Sequence, residues 1–351
     1  MQRHLFYKTL SIPFFAQLLT ASVSAENESA LDKAVNKAEE ITQMLSFEKI
    51  FNELTFGISS CFESLSLVLC LGISVLLVWG VFSCFKDSFG TGGEIFDVIA
   101  TLMLVLCCLH GFCCCFETVE KAIEMMCSYM TSFVPVSVSL LYASGNTVTA
   151  GTGAAMTSFF ISAVQLVSVS LILPCIKTVC GITAVNTLCR KTNLTGIVSF
   201  FKSTCLWIIG LSFTILCGVL SLQTLLTSGA DNLALKGIKY SAAKLIPIAG
   251  GMVSESMKTV IATMNYIKSV TGAGAVVYIV YTVILPVCSI AVTKLSFLLL
   301  SALAKAANSD KAVSLFDGIQ GILNILSALL IGVCVSFVVV IGLFIRIAVS
   351  L

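Results

Sequence analysis

Charged residues are scarce in this sequence. Only 11% of its 351 residues are aspartate, glutamate, lysine or arginine, whereas 58% are apolar and the mean hydropathy is +1.04. Soluble domains carry about 25% charged residues, so a chain with this composition cannot cover a water-facing surface. The composition therefore predicts that lipid solvates much of the chain. The net charge of +2 gives no reason to expect a nucleic acid as a partner.

Residues that commonly carry catalysis are also scarce. The two histidines are His4, near the start, and His110, which stands alone in an apolar stretch where packing is favoured over ligation. The sequence has no zinc-protease motif, nucleophile elbow or phosphate-binding loop. Most of the 16 cysteines lie in apolar runs such as Cys113–Cys115, which favours packing over a redox or metal role. We therefore predict no enzyme activity, cofactor or metal.

The first 25 residues have the three parts of a secretory signal. Arg3 and Lys8 provide a basic start, Leu10–Leu19 are apolar, and Val23-Ser24-Ala25 offers a cleavage site with small residues. The apolar part is too short to span a bilayer comfortably, so a cleaved signal peptide is favoured over a retained anchor.

Residues 26–60 differ from the rest of the chain because acidic residues and helix formers dominate them. Ser29 and Asp32 resemble a capping box at the start of a helix. Apolar residues then recur at spacings of three and four, so they share one helical face. We predict an extracytoplasmic amphipathic helix that rests on the bilayer, on its own membrane domain or on a partner helix.

Stretches of about 20 apolar residues predict helices that span a membrane. The clear candidates are Leu65–Phe85, Ile95–Phe116, Ala154–Cys175, Cys205–Leu226, Gly272–Val292 and Ile319–Ile345. Three further apolar stretches, 122–143, 176–189 and 287–304, are short or interrupted. We assign residues 61–130 to a transmembrane helical hairpin. The basic loop with Arg190, Lys191 and Lys202 is expected in the cytoplasm.

The few prolines suggest an internal repeat. Four of the five form two pairs, Pro135 with Pro174 and Pro247 with Pro286, and the same 112-residue offset relates the two pairs. Residues 172–174 and 284–286 are identical Ile-Leu-Pro at this offset, and a three-residue insertion follows near Asn308. We therefore predict two copies of one helical unit, at 131–226 and 243–347. The duplication fits either a transporter-like conduit or a pseudo-symmetric scaffold.

The segment 244–263 is apolar but holds a proline, paired glycines and two charges. Broken helical backbone is not tolerated facing lipid, so this segment is expected to be buried among helices, re-entrant or interfacial. The fold class predicted overall is an all-α polytopic transmembrane bundle, whose two internal repeats contain proline-broken or re-entrant helices.

Ionisable groups at membrane depth are candidate functional residues because burying a charge in lipid is costly. Glu255 and Lys258 are three residues apart and can pair on one helix face, whereas an interfacial salt bridge or a lysine reaching the headgroups is favoured for Lys177 and Lys294. The candidate conduit or packing residues are Pro135, Pro174, Pro247, Gly250, Gly251, Glu255, Lys258, Lys268 and Pro286.

The run Leu245–Met257, the run Ile267–Gly272 and the pair Leu285-Pro286 resemble the most distinctive stretches of the stage III sporulation protein AE family. Trp207–Gly210, Ser221–Gln223 and Asp231 also fall where that family carries similar residues. The resemblance extends from about residue 130 to the C-terminus. Ser269 stands where the family has asparagine, and no proline follows the stretch 302–304, so roles of single residues are not transferred.

The resemblance implies a part in endospore formation. The protein is then expected in the mother-cell membrane that faces the forespore, as a multi-pass component of a channel or feeding apparatus. Its partners would be other proteins of the same stage III sporulation operon, including ring-forming ones, a forespore membrane partner and the lipid bilayer. The alternatives are a stand-alone secondary transporter and an assembly scaffold without a conduit.

Overall fold

The structure is a computed structural model. It describes the backbone of residues 59, 66, 68–81, 91–188, 195–245, 250–307 and 309–346, with the side chains of these residues except 91–94, 97, 195, 232 and 234–261. The predicted signal segment 1–25 lies outside the described residues, and so does the predicted amphipathic segment 26–60 apart from Ser59.

Every element in the described part of the chain is helical, which confirms the predicted all-α class. Five helical stretches are long and apolar enough to cross a membrane, as a polytopic bundle requires. The helices are α1 (Val68–Val81), α2 (Thr91–Ala143), α3 (Thr147–Gln165), a π-helical segment (Leu166–Ile172), α4 (Leu173–Leu188), α5 (Thr195–Leu245), α6 (Gly250–Ala306) and α7 (Asp310–Arg346).

The three short apolar stretches continue neighbouring helices instead of forming separate helices. Residues 122–143 continue α2 beyond 95–116, residues 176–188 continue the stretch that starts at 154, and residues 287–304 continue α6. The boundary predicted between the hairpin and the first repeat, at residues 130 and 131, lies inside α2. At 1.5 Å per residue, a helix of 53 residues is about 80 Å long, which exceeds the roughly 30 Å of one hydrocarbon layer.

Charge divides these long helices into layers. Six segments of 19 residues or more in the described ranges contain no charged residue: 98–116, and then 125–143, 147–176, 203–230, 269–293 and 318–345, which pack beside one another. Their length, at 1.5 Å per residue, is about 28–45 Å, which matches a hydrocarbon layer of about 30 Å with tilt. Contacts align their ends on one side, because Lys177 lies 3.9 Å from Glu120 and Lys202 reaches the carbonyl of Gly318. We call this region the charge-free layer.

Helix α7 lies at the centre of the bundle, where α2, α4, α5 and α6 all pack on it. Many of its large side chains are fully enclosed, among them Phe316, Leu329 and Phe337. Phe344 meets Phe133 of α2 edge to face, with ring centroids 5.4 Å apart. Within a membrane, helix association depends on such close packing, because lipid hydrocarbon is as apolar as the side chains that pack.

The turn between α2 and α3 depends on one glycine. Gly145 has a φ of 85°, a left-handed conformation that side chains disfavour. The amide of Asn146 donates to the carbonyl of Leu141 at 2.9 Å, and the amide of Gly145 donates to Tyr142 at 3.0 Å. These two bonds form a Schellman motif, which ends α2 and reverses the chain.

Two of the candidate prolines lie inside continuous helices. Pro135 is in α2, so the interruption predicted in the stretch 122–143 is wrong, whereas Pro286 is in α6, within the stretch 272–292 that was predicted as one span. Each proline removes one amide donor, which leaves the carbonyl four residues earlier, in Thr131 and Thr282, without its usual partner. Packing against neighbouring helices maintains a transmembrane helix through such a defect.

Pro174 differs from these because it follows a change in helix type. The seven residues before α4 are π-helical, and the amide of Leu173 donates to the carbonyl of Ser168, five residues earlier. A proline ring clashes with the carbonyl four residues before it, and one wider turn relieves that clash. The chain still continues as a helix from Thr147 to Leu188.

The spacing of helix starts bears on the predicted repeat. Helices α5 and α7 begin at Thr195 and Asp310, 115 residues apart, which is the predicted offset of 112 plus the three-residue insertion. The π-helical segment has no counterpart in α6, so the two predicted copies differ at their second proline. The repeat stays a prediction.

Candidate functional site

The predicted site residues do not form one cluster in the described part of the chain. Pro135 and Pro174 are both exposed at the surface of the bundle, on α2 and α4, whereas Pro286 is buried on α6. Pro247 lies outside the described residues. Gly250 and Gly251 begin α6 and Glu255 and Lys258 follow on the same helix, but the side chains of this stretch are not described.

Three of the nine candidate conduit or packing residues are ionisable, and Lys268 is the one of these whose side chain the structure describes. Only 1% of its surface is exposed, which makes it one of the largest fully buried side chains. It marks the end of the charge-free segment 269–293 on α6. Four residues on, Gly272 packs so closely on α7 that a methyl group there would overlap Ile345, whereas Gly274 has open space around it. Close helix approach in this stretch therefore occurs at Gly272 and not at Gly274.

Asp231 caps the start of α3 from another helix. Its two carboxylate oxygens accept the amides of Val148 and Thr149, each at 2.8 Å, and the side chain is 1% exposed. Helix starts leave unpaired amides and a partial positive charge, and a carboxylate satisfies both. Bonds from amides to a carboxylate are stronger than neutral ones. This contact fixes α5 to the turn at 144–146.

Polar side chains continue from Asp231 along one face of α5. Gln223 and Thr227 precede it at spacings of four, so all three share the face that meets α3. The amide nitrogen of Gln223 donates to the carbonyl of Thr152 at 3.4 Å. The face carries polar groups inside the otherwise apolar segment 203–230. We call these three residues the polar stripe of α5.

A cavity of about 40 Å³ lies beside the polar stripe, between α2, α3, α5 and α7. Leu141, Val340 and Phe344 contribute apolar walls. Two buried oxygens at this cavity, Thr149 Oγ1 and Gln223 Oε1, have no hydrogen-bond partner among the described atoms. Its polar lining residues are Ser137, Thr149, Thr157, Gln223, Thr224 and Thr227.

At the opposite end of the charge-free layer, charged side chains are paired. Lys177 lies 3.9 Å from the carboxylate of Glu120 and 4.4 Å from the centre of the Phe116 ring. Lys202 donates to the carbonyl of Gly318 at 2.7 Å. Both lysine and glutamate of the first pair are partly exposed, so solvent screens this pair and its contribution is small.

The cysteine run is divided between two environments. Cys113 and Cys114 are exposed, whereas Cys115 is buried and lies 3.0 Å from the hydroxyl of Thr293 on α6. His110 is exposed on α2. Within the ranges that the structure describes, no group of three or more histidine, cysteine or acidic side chains is arranged to hold a metal ion.

Sequence reasoning missed the polar stripe and its cavity. It noted Gln223 and Asp231 only for their family resemblance and gave neither a structural role. The spacing of four between Gln223, Thr227 and Asp231 in an apolar helix was the available signal. Its partner was not predictable, because the amides that Asp231 binds lie 82 and 83 residues away in sequence.

These features define a multi-pass helical membrane protein with a polar cavity in its charge-free layer. Residues 28–348 match the model of the family described as stage III sporulation protein AE. The chain therefore belongs to the stage III sporulation protein AE family, as the resemblance implied.

A curated relative is similar over part of its length. The chain is 21% identical over 234 residues to the stage III sporulation protein AE of Bacillus subtilis (strain 168). The alignment covers 66% of this chain and 59% of that relative. No solved structure matches the chain.

Proposed function

We propose that this protein is a non-enzymatic membrane core of a channel or feeding apparatus between mother cell and forespore. Membership of a sporulation family over residues 28–348 is the observation that carries the proposal. The five long apolar helices support a place within a bilayer. In this proposal the membrane is the mother-cell membrane around the forespore, and late forespore development needs the protein.

The partners proposed are other proteins of the same stage III sporulation operon, including ring-forming ones, and a forespore membrane partner. The proposed orientation places the mature N-terminus outside the cytoplasm and the basic residues Arg190 and Lys191 inside. Antiparallel α3 and α5 then bring the turn at 144–146 and Asp231 to the extracytoplasmic side, because Val148 and Asp231 are in contact. A ring-forming partner in the space between two membranes would meet that side.

Deletion of the gene in its spore-forming host tests the proposal. Engulfment should proceed normally, while late forespore gene expression stalls and heat-resistant spores are lost. A second copy of the gene, expressed only in the mother cell, should restore them, and the same copy expressed only in the forespore should not. Normal spore yield from the deletion strain would refute the proposal.

A stand-alone secondary transporter is the second candidate. Two observations favour it. The starts of α5 and α7 are separated by the offset of the predicted repeat, and a π-helical segment precedes Pro174. Transporters combine repeated units with irregular helices. Purified protein in liposomes should then move a solute or ion down a gradient without partners, and Glu255→Gln should impair that movement. Failure over a broad panel of solutes would count against this candidate.

An assembly scaffold without a conduit is the third. Cysteine-accessibility labelling along residues 243–270 separates it from the channel proposal. A conduit wall should show a continuous face that water-soluble reagents reach, whereas a scaffold should show none.

A further inference from the structure

The cavity beside the polar stripe lies at membrane depth, where polar groups need a reason to be present. Its lining comes from the charge-free segments of α2, α3, α5 and α7. Polar side chains in lipid-embedded helices face the bundle interior or a water-filled space, because hydrocarbon cannot satisfy them. Six polar side chains from three helices converge on this one cavity.

Two unpaired oxygen atoms indicate which kind of molecule the cavity can bind. Thr149 is 3% exposed, yet its hydroxyl oxygen has no partner among the described residues, and the same is true of the carboxamide oxygen of Gln223. A carboxamide oxygen only accepts hydrogen bonds. The complementary species is therefore a small hydrogen-bond donor, and water is the one that any membrane protein meets.

The size of the cavity agrees with this chemistry. One buried water needs about 10–15 Å³ of such space and two to four polar partners. A volume of about 40 Å³ gives room for about three waters. Purely apolar cavities stay dry, but Thr157, Thr224 and Thr227 are among the residues that line this one.

We propose that this cavity is a hydrated pocket within the membrane layer, with water bridging Thr149 and Gln223. It makes the inner wall between α3 and α5 the water-accessible face of the bundle. The inference deepens the conduit part of the proposed function and takes its significance from it, but its test on the purified chain is separate from any sporulation measurement.

Cysteine modification in vesicles provides the test. The full chain carrying Thr224→Cys is reconstituted and treated with Ag⁺, a thiol reagent about the size of a water molecule, and the thiol that remains is alkylated after denaturation and quantified by mass spectrometry. Leu222→Cys is the matched control, because Leu222 is two residues away on the same helix turn and 65% exposed on the outer surface. Ag⁺ binds the thiolate, which forms only where water is present. The unaltered chain, treated in parallel, gives the background from its own cysteines.

We expect the cysteine at position 224 to react at least about tenfold faster than the one at 222, since thiolate formation requires hydration. Thr157→Cys approaches the same cavity from α3 and should behave alike, which keeps the test valid if one variant fails to fold. Gly153→Leu places a side chain in the cavity and should slow both reactions, while Gly274→Leu, at a glycine with similar open space elsewhere, should not. Equal rates at 224 and 222, or no effect of Gly153→Leu, would overturn the proposal.

Discussion

Helices α5 and α7 start at equivalent positions of the two predicted repeats, yet they occupy different places. In the most apolar window of each helix, 44% of α7 is buried inside the protein but only 22% of α5. The buried surface of helix α7 is almost fully apolar, whereas α5 turns a polar stripe toward α3 and leaves many of its large apolar side chains exposed. At the predicted offset with its three-residue insertion, Gln223 corresponds to Val338 and Thr227 to Gly342.

The two helices therefore have different roles in packing. Helix α7 supplies the central packing surface, and α5 supplies the polar groups. Polar residues in the central helix would destabilise its packed surroundings, because each buried polar group without a partner costs about 1–3 kcal/mol. A helix that is less buried, as α5 is, leaves room for a cavity beside such groups. The four predictions below test this difference, from the largest effect to the smallest.

Phe337 and Leu222 are equivalent at the predicted offset with its three-residue insertion, and they differ most in burial. Phe337 is fully buried and packs 6.3 Å from the Phe160 ring, whereas Leu222 is 65% exposed. Phe337→Ala should lower the free energy of unfolding by about 3 kcal/mol, because it leaves a cavity in the core. Leu222→Ala should change it by less than about 0.5 kcal/mol, as surface substitutions do. Unfolding in a mild detergent with added denaturant measures both, and equal losses would contradict the assignment of centre and periphery.

Asp231 should be the most important polar residue of α5. Replacement by alanine removes two bonds to buried amides and should cost about 2 kcal/mol, the amount typical of hydrogen bonds to a charged group. Asp310, exposed in the first turn of α7, is the control, and Asp310→Ala should cost about 0.5 kcal/mol through the helix dipole. Hydrogen exchange at the amides of Val148 and Thr149 should rise only in the first variant. Unchanged exchange there would show that Asp231 does not cap α3.

On α6, Gly272 packs closely against α7, whereas Gly274 lies at an open surface. Gly272→Leu must displace Ile345 and should cost about 2 kcal/mol, in the range observed for overpacked sites. Gly274→Leu meets nothing within 4 Å, so the same change in residue type should cost less than about 0.5 kcal/mol. The midpoint of thermal unfolding in detergent compares the pair. A similar loss in both variants would mean that the change of residue, and not the contact with α7, decides the outcome.

Much of this fold was predictable from the sequence because it depends on local composition. Runs of apolar residues indicated each helix that crosses the charge-free layer, and the order of these runs is the order of the helices. Helix ends were harder to predict. The short runs 122–143 and 287–304 extend α2 and α6, which hydropathy alone does not reveal. A charged patch such as Glu117–Lys121 interrupts a hydropathy window but not a helix, since its side chains pair along the helix surface.

The candidate site was less predictable, and for a different reason. The site was predicted at prolines and glycines because these residues weaken isolated helices. Neighbouring helices nevertheless keep Pro135 and Pro286 in regular helical structure. The cavity depends on pairs of helices that meet far apart in sequence, as Asp231 and Val148 do. Periodicity along one helix finds the polar stripe, and only the three-dimensional packing shows what it faces.

The smallest effect is expected where the two predicted copies differ at their second proline. Pro286→Ala restores an amide that can donate to the carbonyl of Thr282 within a continuous helix, and should stabilise the protein by about 1 kcal/mol.

Pro174→Ala also restores an amide donor, but a regular hydrogen bond there would convert the π-helical segment to an α-helix and rotate α4 by about 100°. That rotation would move Ile176, Val179 and Cys180 out of the core, where each is at most 2% exposed. Their burial outweighs one hydrogen bond, so the π-helical segment should persist and the free energy of unfolding should change by less than about 0.5 kcal/mol. Hydrogen exchange across 166–176 tests this directly: protection that rises to the level of 154–164 in Pro174→Ala would show that the proline, and not the packing of α4, maintains the wider turn.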